Sequence, residues 1–168
     1  LNVSKSFLLM EAKELIKTAL ELAGYPKLNP VQQKAVKQGL LEGKNLVVAA
    51  PTASGKTFVA ELAALNTILN QKRKAVYLVP LVALASEKYQ EFKERYSKLG
   101  IKVAISVGDY DAADPWLERY DLVVLTNEKM DSLIRHGAGW IRDVGLIVVD
   151  EIHFSSLFLS FVSADRLL

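Results

Sequence analysis

Short, nearly unbroken apolar runs alternating with helical patterns constrain this chain more than any other feature. The runs are residues 45–50, 75–79, 101–107, 122–125 and 146–149. Helical patterns fall between them at 56–70, 81–99, 114–119 and 127–135, the second with Leu84, Lys88, Phe92 and Tyr96 at near-helical spacing. A strand wetted on one face alternates apolar and polar residues, whereas a continuous run belongs to a strand covered on both faces. Strand and helix in this rhythm predict an α/β domain, with a mostly parallel sheet and helices on both of its faces. Such sheets bind ligands at the carboxyl ends of their strands, so the residues just after each run are the functional candidates.

Two helices precede the alternation. Leu8, Ala12, Leu15, Ile16, Ala19 and Leu22 recur at helical spacing, and Gly24-Tyr25-Pro26 stops that helix. Asn29-Pro30 caps a second one, expected to run to about Gly43. The chain therefore divides into a helical segment 1–43, an α/β segment 44–153 and an apolar tail 154–168.

Apolar residues make up 51% of the 168, enough for a sizeable core and too many for a disordered tail. The 21 basic and 19 acidic side chains leave +2, with no long block of one sign. Any nucleic-acid binding must come from groups placed by the fold, not from bulk charge. The absence of cysteine excludes disulfides and thiolate zinc sites and suits a reducing compartment. No segment approaches the roughly 18 apolar residues of a membrane span. Residues 1–10 lead into an amphipathic pattern, unlike a signal peptide. The expectation is a soluble cytoplasmic protein with no membrane partner.

After the first run stands Ala50-Pro51-Thr52-Ala53-Ser54-Gly55-Lys56-Thr57, which matches G-x-x-x-x-G-K-[ST] except for Ala50 at the first glycine. The backbone of Thr52, Ala53, Ser54 and Gly55 would wrap a phosphate chain, and Gly55 permits the close approach. Lys56 would place a cation at the β and γ phosphates, and the Thr57 hydroxyl would bind Mg²⁺. The following helix adds its positive end.

The last run ends in Asp150-Glu151-Ile152-His153. A strand that delivers acids this way suits a metal site, with Asp150 toward Mg²⁺ and Glu151 as the base for an attacking water. Lys56, Asp150 and Glu151 are thus the catalytic candidates. His153 reads equally as a link to a second domain or as an exposed turn residue. Gln32 carries an amide that can read an adenine edge, but three residues after Asn29 its spacing favours a capping box.

Together these segments resemble the first motor domain of a DExH-type superfamily 2 helicase, RecA-like in fold. They are most similar to the archaeal DNA-repair helicases called Hjm, relatives of the helicase domain of polymerase theta. The resemblance rests on LNPVQ (28–32), APTASGKT (50–57), VPLVALASEKY (79–89), SVGDYD (106–111), LTNEKMDSLIRH (125–136) and VVDEIH (148–153), in order over about residues 8–153. It implies ATP and Mg²⁺ as cofactors, with Gln32 reading adenine and His153 coupling to the nucleic-acid side. It also implies 3′ to 5′ movement on single-stranded or forked DNA, gripped by Pro80, Leu81, Lys88, Gly108, Asp109, Thr126, Glu128 and Lys129. Phosphate contacts at these strand ends would carry little sequence information, as a translocating motor requires.

Two departures stand out. Val82 occupies a position where the family usually has arginine, and losing that fork should weaken DNA binding. After His153 the family continues through a helix to a strand ending Ser-Ala-Thr. Here Ser163-Ala164 resembles that motif faintly and follows Asp150 too closely, since a parallel crossover needs roughly a dozen residues or more. The tail is expected to form a hairpin, a helix or a sticky apolar end, and the sequence suits a truncated gene product. The resemblance implies a second RecA-like domain as the source of an arginine for the ATP site, and none is expected within these residues. Self-association through the tail is expected. The competing readings are a non-catalytic nucleotide- or nucleic-acid-binding module and a small-molecule phosphotransferase.

Overall fold

A computed structural model describes residues 10–108, 112–154 and 156–162. Helices α1 (Ala12–Ala23) and α2 (Pro30–Lys37) lead into β1 (Val47–Ala49), α3 (Lys56–Leu69), β2 (Lys74–Val79), α4 (Val82–Tyr96) and β3 (Val103–Ser106). Then follow β4 (Leu122–Thr126), α5 (Asn127–Arg135), β5 (Val144–Phe154) and β6 (Ser156–Val162). The sheet is six-stranded in the order β1-β6-β5-β2-β4-β3. β2 pairs in parallel with both β5 and β4, and β4 in parallel with β3. The expected α/β sheet, mostly parallel, is present.

Alternate residues of β2, β3, β4 and β5 face two separate cores, which explains their unbroken apolar runs, whereas β1 buries only Val48 and leaves Val47 67% exposed. Ala75, Tyr77 and Val79 of β2 face one layer with Phe58, Val59 and Leu62 of α3 and Phe92 and Tyr96 of α4. Val76 and Leu78 face the other, with Met130 and Leu133 of α5 and Trp140. Leu15 and Ala19 of α1 and Ala35 of α2 join the first core, so both helices pack as part of it. Among the described residues, no helix is long and apolar enough to cross a membrane.

Several boundaries differ from expectation, among them β5, which runs from Val144 to Phe154, and α4, which ends at Tyr96. α1 begins at Ala12, and Leu8 lies outside the described residues. α2 stops at Lys37, short of Gly43, because Gly39 takes a left-handed φ of 100° and only a 3₁₀ turn, Leu40–Glu42, follows. The pattern at 114–119 is likewise a 3₁₀ turn, Pro115–Arg119.

Residues 156–162 form a hairpin with β5. β6 runs antiparallel to β5 on one side and to β1 on the other. The short connection dictates this, since it is too short for the crossover a parallel strand needs. Ser163 and Ala164 lie outside the described residues.

Candidate nucleotide site

The loop between β1 and α3 is fixed from below by the start of α2. Asn29 Oδ1 accepts from the Gln32 amide N–H at 3.0 Å, and Gln32 Oε1 accepts from the Asn29 N–H at 2.9 Å. This is the capping box that the spacing favours. The remaining donors of both side chains reach the loop: Asn29 Nδ2 donates to the Ser54 carbonyl at 2.9 Å and Gln32 Nε2 to the Gly55 carbonyl at 3.2 Å. Gln32 is only 3% exposed, behind the loop. Gly55 has φ 80°, and a Cβ there would stand 2.5 Å from Gln32 Nε2 and 2.7 Å from Asn29 Nδ2. Both the conformation and the space demand glycine.

Lys56 opens α3 and folds back over the loop. Its Nζ donates to the Ala50 and Pro51 carbonyls, the latter at 2.7 Å. Ala53 is left-handed at φ 60°. The buried Ser54 Oγ has no hydrogen-bond partner among the described residues. Backbone amides, an ammonium and an unpartnered hydroxyl form the donor set that a phosphate chain takes.

Asp150 and Glu151 stand across the same cleft. Ladder pairing of β5 with β6 skips between Val149 and Ile152, and Glu151 takes a left-handed φ of 57°. A bulge of this kind re-aims side chains beside functional sites, and the left-handed conformation costs a non-glycine residue about 1 kcal/mol or more. The Glu151 N–H donates to Asp150 Oδ1 at 3.0 Å. The Tyr77 hydroxyl donates to Asp150 Oδ2. Burial, then the neighbouring Asp150 carboxylate, hold the Tyr77 phenol well above its usual range. Thr57 and Asp150 offer hydroxyl and carboxylate oxygens, the hard ligands Mg²⁺ takes.

The cleft has a volume of about 360 Å³ and is lined by Thr52, Ala53, Ser54, Gly55, Lys56, Thr57, Asp150 and Glu151, among others. The structure thus brings together every expected phosphate-loop and acidic residue, with Gln32 behind the loop. It adds residues the sequence reading missed. Tyr25, read there only as part of a helix stop, lines the cleft 47% exposed, edge-on to Phe58 at 5.2 Å. Glu61, one turn beyond Thr57, is 3% exposed and bonded to Arg95, which also binds Glu91 at 2.9 Å. Burial pushes the Glu61 carboxyl up to about 7 against the pull of Arg95. A lone acid inside the apolar pattern of α3 was the available signal.

The other strand ends are arranged differently. Pro80 is half-buried, while Leu81 and Val82 are 59% and 50% exposed, so the unusual valine is a surface residue. Gly108 is left-handed at φ 68°, and Glu128 is exposed. Three of the residues expected at DNA have partners within the domain. Lys129 is 1% exposed and paired with Asp114 at 3.1 Å, so its ammonium is withdrawn from any surface phosphate. Thr126 is 1% exposed, and its hydroxyl caps α5 by accepting from the Lys129 N–H at 3.3 Å. Lys88 pairs with Glu91 at 2.9 Å and lines the nucleotide-side cleft. Asp109 and the side chain of His153 lie outside the described residues; the His153 backbone belongs to β5.

The sequence profile of the DEAD/DEAH box helicases matches residues 29–160. The chain belongs to that family. Among relatives, this helicase domain is 58% identical over 140 residues to the ATP-dependent DNA helicase Hel308 of Thermococcus kodakarensis, covering 83% of this chain and 12% of that protein. It is 54% identical over 144 residues to Hel308 of Pyrococcus abyssi, covering 86% of this chain and 20% of that protein. The chain thus spans at most about a fifth of these relatives' length. The helicase MrfA bound to DNA and AMPPNP superimposes with a TM-score of 0.69 at 31% identity, over 85% of this chain and 21% of MrfA. The RecA-like fold implied by the motifs is therefore shared with a solved helicase.

Proposed function

We propose that this chain is the ATP-binding motor domain of an ATP-dependent 3′ to 5′ DNA helicase. The observation that carries the reading is the convergence of residues 52–57 and the Asp150–Glu151 pair on one cleft. Relatives named as ATP-dependent DNA helicases, and a similar helicase bound to DNA and AMPPNP, support the choice of ATP and DNA.

In this reading the amides of 52–55 and the Lys56 ammonium hold the phosphates, and the Lys56 charge matches the charge that builds up there. Thr57 and Asp150 would hold Mg²⁺, which offsets phosphate charge when bound. Glu151 takes the proton of the attacking water. Gln32 is assigned to the adenine edge by the resemblance alone, since its Oε1 already accepts from Asn29 and its Nε2 donates to the Gly55 carbonyl. Leu81, Gly108 and Glu128 remain at the outer strand ends for single-stranded or forked DNA, with His153 coupling the two sides. A second RecA-like domain of a longer protein supplies the completing arginine. Such a motor would work in the cytoplasm. Self-association through residues 154–168 belongs to the same proposal, but β6 is paired on both sides within the chain and offers no free edge for it; a monomer in sedimentation would remove it.

The test is ATP hydrolysis by the chain, with and without single-stranded DNA, beside Glu151→Gln. DNA-stimulated turnover lost in Glu151→Gln is the expected result. Turnover undiminished in Glu151→Gln would exclude Glu151 as the base. Binding without turnover in the wild type would make the isolated chain a nucleotide-binding module.

A further inference from the structure

Tyr77 is buried, at 1% exposure, in the middle of an apolar strand where phenylalanine would fill the same space without a polar group. A buried tyrosine hydroxyl needs a partner. In β2, Tyr77 lies opposite Val148 of β5 in parallel register, and both face the core under α3 and α4. Phe92 of α4 packs edge-on against its ring, centroids 5.1 Å apart, which leaves the ring little freedom to turn away. The phenol emerges at the strand end, two residues beyond Val148, and donates to Asp150 Oδ2.

Asp150 is therefore held at both oxygens, Oδ2 by Tyr77 and Oδ1 by the Glu151 N–H. Each carboxylate oxygen keeps further acceptor capacity after accepting one hydrogen bond. Two donors fix the plane of the group and leave that capacity directed away from them. The phenol thus holds one of the two side chains that would bind the cation, Asp150, from behind. Partners behind a ligand commonly set its orientation, and their loss weakens metal binding.

We propose that Tyr77 is a positioning residue that orients the Asp150 carboxylate for a divalent cation. The inference rests on the nucleotide reading of the cleft and deepens it.

The test uses the full chain. Mn²⁺ is titrated at a fixed, saturating concentration of a non-hydrolysable ATP analogue, and free Mn²⁺ is read by electron paramagnetic resonance. The affinity for the analogue is measured separately in EDTA. Tyr77→Phe is expected to weaken Mn²⁺ binding roughly tenfold or more while leaving the cation-free affinity for the analogue unchanged. In an Asp150→Asn background, Tyr77→Phe is expected to cause no further loss. Unchanged Mn²⁺ affinity in Tyr77→Phe would overturn the assignment, and so would an equal loss in both affinities, which marks a merely structural role. Should Tyr77→Phe not fold, the wild type labelled with 3-fluorotyrosine provides the second reading. A ¹⁹F resonance is expected to shift when Mg²⁺ is added to the analogue-bound protein and to stay fixed in Asp150→Asn; no such resonance would overturn the assignment. Wild type that binds no analogue would overturn the nucleotide reading and Tyr77's role with it. Normal wild-type binding with an unaffected Tyr77→Phe would overturn only the latter.

Discussion

Lys56 and Lys129 both sit in the first turn of a helix that follows a strand, and both are nearly buried, at 8% and 1% exposure. Their partners differ. Lys56 is held by the uncharged carbonyls of Ala50 and Pro51, so its positive charge is not cancelled there. Lys129 faces the Asp114 carboxylate, which also accepts from the Ser106 hydroxyl. A lysine cradled by carbonyls can exchange them for an anion, whereas one paired with a buried acid is a structural cross-link. In the proposed reading the loop after β1 receives charge, whereas the Lys129 ammonium after β4 is already matched by an acid.

The sharpest way to break this contrast is Lys129→Ala. Leaving Asp114 buried and unpaired should lower the unfolding free energy by about 3–5 kcal/mol, read by urea denaturation, with affinity for ATP unchanged in the folded protein. Unaltered stability with reduced affinity for single-stranded DNA would return Lys129 to the role first expected of it.

Glu61 gives the next largest effect. Its folded-state value of about 7 lies above the ordinary 4.5. The folded chain therefore holds a proton that the unfolded chain gives up. The associated stability is complete below about pH 4.5 and is lost as pH rises toward 7, by up to about 3 kcal/mol. Denaturation across that window should show the fall, and Glu61→Gln should flatten it. A wild-type curve that rises over the same interval would mean that Arg95 outweighs burial.

Asn29→Ala removes a cap and a support of the loop together. A loss of about 1 kcal/mol is expected from the cap, with weaker ATP binding because Ser54 loses its anchor. Lys88→Ala should change stability least, by less than about 1 kcal/mol, since the Lys88–Glu91 pair is partly exposed, at 15% and 31%.

The phosphate loop was legible because its chemistry is local. Consecutive residues must provide a left-handed glycine, a cation and a hydroxyl, and no distant partner is needed to recognise them. The two-faced apolar runs were legible for a similar reason, since burial on both sides of a strand leaves its mark at every position. For the tail only the exclusion of a parallel return was legible, from the length of its connection; the hairpin of β5 and β6 was one of three forms left open. What escaped the sequence depended on partners far along the chain. Tyr77 and Asp150 are 73 residues apart, and Glu61 and Arg95 are 34 apart. Lys129 looked like a surface cation because Asp114, at φ 43° in an irregular turn, gave no sign that it would fold beneath α5. Long polar side chains at strand ends are ambiguous until the fold shows whether an acid waits for them.

The central claim is that the cleft between the loop and Asp150–Glu151 binds Mg-ATP. Isothermal titration of Mg-ATP into the wild type and into Lys56→Ala tests it most directly. The expected result is a single site in the wild type and a loss of about a hundredfold or more in the variant, the scale of removing a charge from a desolvated ion contact. Equal affinity in the two proteins would contradict it.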